Sequence, residues 1–205
     1  NGAMSACCHP EPPAANRAYR RALAIALALN AAMFGVEFAA SFAAGSSALL
    51  ADAVDFLGDA SNYALSLGAL ALAPVWRSRA AFVKGLSMGA YGLFVLAATA
   101  LYWQRGTPPE PATMGAVGAL ALAVNVGVAF MLFRYRNGDA DMRSVWLCSR
   151  NDAIGNVAVM LAAAGVFGTG SGWPDYLVAV LLASLALTAS ASVLRQSLGE
   201  GLVRY

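Results

Sequence analysis

The stretch SALLADAVDFLGD, residues 47–59, places three carboxylates in an otherwise apolar run. Asp52, Asp55 and Asp59 are spaced by three and four residues, so on a helix they lie within an arc of about 60°. Three carboxylates on one face repel one another strongly at low dielectric, so they need protons, cations or bases as partners. A face that binds a divalent cation and exchanges it for protons is the interpretation we favour, and a purely structural polar cluster is the alternative.

The composition of the chain predicts that this face lies inside a membrane. Of the 205 residues, 60% belong to the set AVILMFWYC and 12% are charged, and the mean hydropathy is +0.63. Soluble domains are about 45–50% apolar and ~25% charged, so a water-soluble globe of this size could not cover so much apolar surface. The composition excludes a disordered chain and a disulfide scaffold. With a net charge of +2, it also excludes a nucleic-acid partner.

Six apolar stretches are each long enough to cross a bilayer, which takes about 20 residues. They cover residues 18–44, 47–73, 80–103, 111–134, 143–169 and 173–198. We therefore predict an all-α polytopic membrane protein with a tail at residues 1–17, a six-helix transmembrane domain at 18–198 and a short C-terminal segment at 199–205. Residues 1–3 precede Met4 and are interpreted as a cloning remnant.

The basic residues predict which ends of the helices face the cytoplasm. Eleven Lys and Arg residues lie in the tails and connections, or just inside the helices, on one side of the predicted membrane domain. They are Arg17, Arg20, Arg21, Arg77, Arg79, Lys84, Arg134, Arg136, Arg143, Arg195 and Arg204. The connections at the opposite ends hold only Arg105. Because cytoplasmic loops carry the excess of Lys and Arg, both termini are expected in the cytoplasm.

The fifth stretch contains a second pair of donors one helical turn apart. In CSRND, residues 148–152, Cys148 and Asp152 share a helix face with Asn156, whereas Arg150 lies about 200° away from Asp152. Asn156 is a candidate for a contact beside the metal or along its route. Arg150 receives no ligand role.

Two such pairs on facing helices would supply four ligands, which is enough for a tetrahedral site. The set would be Asp55, Asp59, Cys148 and Asp152. Zn²⁺ accepts both oxygen and sulfur donors, and Cd²⁺ favours the soft thiolate. The alternative for Cys148 is a small core hydrophobe, a common role for a free cysteine.

Further polar residues are candidates for supporting roles. Asn30 and Glu37 lie seven residues apart on one stripe of the first helix, where polar contacts to the metal helices are expected. Asn125 in the fourth stretch is expected to hydrogen-bond between helices. The tail sequence Cys7-Cys8-His9 either captures soft metal at the entrance or is a disordered end.

Residues 45–59 and 148–152 resemble the paired motifs of the cation diffusion facilitator family of proton-coupled metal exporters. The resemblance extends to Asn30, Glu37 and the Trp-Pro-Asp at 173–175, and it covers residues 16–200. It implies that the four residues above are the transport ligands. It also implies that Asp52 lies outside this set, as a neighbouring or gating acid.

The resemblance carries expectations about assembly as well. It implies a charge pair between Lys84 and Glu200 that locks helices or subunits together, with two solvated end charges as the alternative, and it implies a homodimer. Cys148 stands where the family has His or Asp, which leaves the metal preference open. Family members continue beyond this length into a cytoplasmic metal-binding domain, so the sequence is expected to be a short subtype or a truncated chain.

The acidic pairs predict a secondary transporter that exchanges divalent metal for protons, and the resemblance implies that it exports the metal, across a bacterial inner membrane. Zn²⁺ and Cd²⁺ are the favoured substrates, with Co²⁺, Fe²⁺ and Ni²⁺ as further candidates. No enzymatic activity and no prosthetic group are expected.

Three other functions are weighed against transport. Membrane phosphotransferases that act on CDP-alcohols share the D-x-x-D of Asp52 and Asp55, but they require a glycine where Phe56 stands. Their G-x-x-x-D-x-x-x-D block is also missing from the sequence. A passive ion channel and a metal-binding protein that does not transport are the remaining alternatives.

Overall fold

The computed structural model describes residues 17–68, 74–135 and 140–202, and this part of the chain forms six α-helices without a strand. They are α1 (Arg17–Ala44), α2 (Ser47–Gly68), α3 (Pro74–Arg105), α4 (Pro111–Phe133), α5 (Ala140–Thr169) and α6 (Trp173–Leu202). Side chains in the first turns of α3, in α5 up to residue 151 and in α6 from residue 196 lie outside the description. The predicted all-α architecture with six helices is confirmed.

One predicted boundary differs clearly from the structure. The third helix begins at Pro74 and not near residue 80, so Arg77 and Arg79 belong to α3 and not to a connection. Proline suits the first helical position because its missing N–H would have no partner there. Pro74 therefore starts this helix, six residues before the start that the apolar stretch at residues 80–103 suggested.

Five helices contain segments long and apolar enough to cross a membrane. These are Arg17–Ala44, Phe82–Arg105, Pro111–Phe133, Asp152–Thr169 and Trp173–Arg195. The remaining helix, α2, is also long enough, but its three aspartates interrupt its hydropathy. It contacts α1, α3, α5 and α6, and its residues 47–54 are all buried. The helix that lipid tolerates least is thus shielded by its neighbours.

The helices form a four-helix unit with an attached pair. The most extensive contacts join α3 to α6, α1 to α2 and α4 to α5. Contacts of α1 with α4 and of α2 with α5 complete the four-helix unit, and α2 and α5 connect it to α6. Consequently α2 and α5, which carry the predicted ligand pairs, face each other.

The connections after α1, α3 and α5 meet at one end of the bundle, which we call the outer end because Arg105 is its only basic residue among the described residues. The backbone N–H of Glu110, before α4, donates to the carbonyl of Ala44 at 2.9 Å. A glycine in the left-handed region follows each of the three helices: Gly45, Gly106 and Gly170. This is the conformation that commonly ends a helix, and it favours glycine.

Glu110 also caps α4. Its carboxylate accepts hydrogen bonds from the N–H groups of Ala112 at 3.0 Å and Thr113 at 2.6 Å. Hydrogen bonds from the Thr113 side chain and from these two N–H groups hold the pKa of Glu110 below its usual value. The start of α4 is therefore fixed by a residue of its own connection.

Small residues bring α3 and α6 into close contact. The Ser190 hydroxyl of α6 donates to the carbonyl of Gly85 at 2.7 Å. A Cβ on Gly89 would lie 2.7 Å from Ser190 Oγ, which is closer than atoms can approach without movement. In a membrane such small-residue contacts hold helices together by close packing.

We expect Gly89→Ala to destabilise the protein, because the added methyl group displaces the Ser190 hydroxyl and breaks a buried hydrogen bond. The loss should be about 1 kcal/mol or more, measured as a lower thermal unfolding midpoint in detergent. Gly127→Ala in α4 is the matched control, since its added Cβ meets nothing within 4 Å. Equal midpoints for the two variants would contradict the packing described here.

Candidate functional site

The three aspartates of α2 differ in their surroundings although they share a face. Asp52 is 1% exposed and Asp59 is 6% exposed, whereas Asp55 between them is half-buried. All three lie in the most enclosed helix of the bundle. Each must therefore find its partners within the protein.

Asp52 lies beside Glu37 of α1. The two carboxyl groups lie close enough for their charges to interact, and Glu37 is fully buried. Among the described residues, both oxygens of Glu37 and the Oδ2 atom of Asp52 are buried without a hydrogen-bond partner. Two carboxyl groups this close share a proton or hold a cation, because two buried negative charges repel.

Asp59 faces Asp152 of α5 across the helix interface, close enough for the two carboxyl groups to interact. The Tyr63 hydroxyl donates to Asp59 Oδ2 at 3.1 Å. Lys84 of α3 donates to Asn62 Oδ1, and both residues lie near the Asp59 carboxyl. A predicted ligand from each of α2 and α5 therefore meets in one place.

Asp55 faces a gap in the side chains of α5. A Cβ on Gly155 would lie 4.0 Å from Asp55 Oδ2, so this carboxylate points at the backbone of α5. The charge of Asp55 acts on Asp152, the partner of Asp59, and on Glu37, the partner of Asp52. Asp55 is thus placed between the two carboxyl pairs.

The described side chains form pairs of acids and not a closed ligand set. Among them, no three His, Cys, Asp or Glu side chains lie at metal-binding spacing. The backbone of α5 carries Cys148 one turn before Asp152, but the Cys148 side chain lies outside the described part. The four-ligand set remains a prediction.

Two asparagines lie at the depth of Asp59. In α1, Asn30 falls between Ala26 and Met33, and in α4, Asn125 falls between Ala121 and Val128. Ala26 and Val128 belong to one apolar cluster with Tyr63, and Met33 and Ala121 belong to another with Phe56. Since Tyr63 and Phe56 flank Asp59 in α2, the three polar residues share one layer.

Both asparagines of this layer have an amide oxygen without a hydrogen-bond partner among the described residues. Asn30 does donate from its amide nitrogen to the carbonyl of Ala26 at 2.8 Å. Asn156 of α5 is fully buried, and neither polar atom of its side chain has a partner in the described part. These buried amides remain able to contact an ion or a water molecule.

Other predicted residues cannot be placed fully. Lys84 contacts Asn62 of α2, while the side chain of Glu200 lies outside the description, so their charge pair stays a prediction. Cys7, Cys8 and His9 also lie outside the described residues.

The spacing argument missed several residues that surround the acids. Tyr63 and Asn62 were not singled out because a tyrosine and an asparagine near a helix end give no periodic signal. Gly155 was missed because its role comes from the side chain it lacks. Asp175 was quoted only as part of a motif, yet it is fully buried against the start of α2.

Comparison with known proteins adds independent information. The family model described as the cation efflux transmembrane domain matches residues 23–200. The cadmium, cobalt and zinc/H(+)-K(+) antiporters of Bacillus velezensis and Bacillus subtilis are 28% and 27% identical over 171 residues. The metal cation efflux system protein CzcD of Cupriavidus metallidurans is 28% identical over 167 residues.

These matches cover 75% of this chain in each case, but only 53%, 54% and 52% of the three relatives. The chain therefore spans about half the length of the curated relatives it matches.

We expect Gly155→Leu to abolish Zn²⁺ binding, because a leucine side chain would fill the space in front of Asp55 Oδ2. Gly155→Ala is the control, since its Cβ makes only ordinary contacts with Leu182 and Asp55, at 3.8 and 4.0 Å. Isothermal titration on the purified variants measures the difference. Binding of normal affinity to the leucine variant would show that Asp55 does not face the ion at this position.

Proposed function

Because this chain belongs to the cation efflux family, we propose that it exports divalent transition-metal ions in exchange for protons. The support that carries this proposal is the approach of the Asp59 and Asp152 carboxyl groups between α2 and α5. A dication between them would neutralise their repulsion, and protons could do the same once the ion has left. An exchanger requires two such states of the acid pair, one that holds the metal ion and one that holds protons.

The direction of the pH effect follows from this competition. Metal ligands bind in their deprotonated form, so metal binding releases protons and a falling pH weakens binding. In this proposal Asp55, which is half-buried beside Gly155, joins Asp59 and Asp152 around the ion once their side chains move together. Cys148 is the fourth ligand in this proposal, because it lies one turn before Asp152 on α5.

Zn²⁺ and Cd²⁺ are the proposed substrates. Three carboxylates and one thiolate suit zinc, and the sulfur raises the affinity for the softer cadmium ion. The Bacillus relatives are named as antiporters of cadmium, cobalt and zinc against protons and potassium. This supports the metal class, while proton exchange rests on the carboxyl pairs of this chain.

We further propose that the protein works as a homodimer in a bacterial inner membrane. The bacterial origin of the relatives and the five apolar helices support the membrane. Alternating access would arise from rocking of helix groups around the acids, which lie between the ends of the bundle.

Asp55→Asn and Asp152→Asn are each expected to reduce metal transport by at least a hundredfold without unfolding the protein, since each removes a charged ligand. Zn²⁺ uptake into proteoliposomes with an imposed pH gradient measures the rate. Glu110→Gln, which changes an exposed carboxylate that caps α4, should transport normally. Uptake at the wild-type rate by either aspartate variant would refute the proposed site.

Zn²⁺ affinity of the wild-type protein should fall as the pH is lowered, by about tenfold per pH unit for each proton that the ion displaces. Titration calorimetry at two pH values, in buffers of different ionisation enthalpy, counts the protons released. A pH-independent, voltage-driven current would instead favour a channel. Binding without any movement of metal would favour a protein that does not transport.

Cys148→Ser should weaken Cd²⁺ binding more than Zn²⁺ binding, because only the thiolate distinguishes the soft ion. Asp55→Asn is the comparison variant, since the loss of a carboxylate should weaken both ions to a similar extent. Equal weakening of both metals by Cys148→Ser would argue against sulfur as a ligand.

A further inference from the structure

The N-terminus of α2 is capped by an aspartate of another helix. The Ser46 hydroxyl donates to Asp175 Oδ1 at 2.6 Å, and the N–H groups of Ser47 and Ala48 donate to Oδ2 at 2.8 Å and to Oδ1 at 3.0 Å. Asp175 is 0% exposed. Free N–H groups at a helix start are usually satisfied by a residue of the same connection, so a cap from α6 ties two helices together.

Ser46 adds a second link to the same contact. Its hydroxyl oxygen accepts a hydrogen bond from the N–H of Leu49 at 3.1 Å while its hydrogen points to Asp175. A carboxylate at the positive end of a helix, bound by several donors, forms strong charge-assisted hydrogen bonds. Separation of α6 from α2 would leave this buried charge without partners, so the two helices are held as one body at the outer end.

The adjacent residue contacts the other ligand-bearing helix in a different way. Pro174 packs on Gly165 of α5 so closely that a Cβ on Gly165 would lie 2.9 Å from the Pro174 Cβ. This contact is apolar and has no hydrogen bonds to break. The first turn of α6 is therefore bound to α2 by directional hydrogen bonds and to α5 by an apolar contact without hydrogen bonds.

The part of α2 between its outer end and the acids is enclosed by neighbouring helices in this structure. Residues 46–50, which lie between the cap and Asp52, are all fully buried. Partial exposure along α2 begins only at Asp55, further from the outer end. Opening toward the outside thus requires a separation of helices near the Asp175 contact.

We propose that Asp175 is a positioning residue for transport, which fixes α6 to the outer end of α2 so that the outer gate opens between this pair and α5. This inference rests on the proposed transport function. Asp175 touches none of the predicted ligands, so it acts on the movement of α2 and not on the affinity of the site.

The test compares Asp175→Asn with wild type in proteoliposomes. The asparagine keeps the shape but loses the charge and one acceptor oxygen. We expect the maximal Zn²⁺ transport rate to fall about tenfold, while KM and the equilibrium Zn²⁺ affinity stay within about twofold. Hydrogen exchange of the amides at 47–50 should become faster, because two of them donate to Asp175.

Glu110→Gln is the matched control. It also removes the charge of a capping carboxylate at the outer end, but this carboxylate caps α4, the helix that directly follows it. It should leave the transport rate unchanged. If Asp175→Asn fails to fold, Ser46→Ala removes one donor and retains the charge, and a loss of about threefold is expected.

A wild-type rate in a folded Asp175→Asn variant would overturn the proposal. Loss of Zn²⁺ affinity in parallel with the rate would also overturn it, because the residue would then support the site itself. Absence of Zn²⁺ transport by the wild-type protein would instead refute the transport function on which the proposal rests.

Discussion

The constraint on which the fold depends is the cost of placing three carboxylates of one helix inside a membrane. An unpaired charge there costs several kcal/mol, so α2 cannot face lipid. Four helices surround it, and the large apolar side chains turn outward elsewhere, as Phe130 of α4 and Phe167 of α5 do at 82% exposure. The arrangement of the bundle is thus the arrangement that shields α2 while bringing α5 against its acidic face.

Apolar layers divide the acids of α2 by depth. Phe56, with Met33 and Ala121, lies between the level of Asp59 and the outer part of the helix. The Asp59–Asp152 pair therefore occupies one level and the Glu37–Asp52 pair another. Asp55 lies between the two pairs and acts on a member of each, so a change of charge at one pair alters the protonation of the other.

The sequence pattern predicted what depends on a single helix. Hydropathy gave the six helices, and spacing predicted that Asp52, Asp55 and Asp59 share a face. Contacts between helices were not predictable, because spacing does not show which faces meet. Gly155 opposite Asp55 and Asp175 on the start of α2, 127 to 129 residues away in the chain, emerge only from the packing. The start of α3 at Pro74 was missed because proline both separates and begins helices.

The number of hydrogen-bond donors distinguishes two kinds of buried acid in this protein. Asp175 receives three donors, two of them backbone N–H groups, and these satisfy its charge within the fold. Asp59 has the Tyr63 hydroxyl as a donor and an acidic neighbour, Asp152, whose Oδ2 has no partner among the described residues. A carboxylate with a full set of hydrogen-bond donors holds a helix in place. A pair of acids with too few donors needs a mobile partner to offset its charge. In a membrane interior such partners are cations and protons. The same residue type therefore fixes the start of α2, at Asp175, and leaves an oxygen of Asp152 open to a further partner beside the middle of this helix.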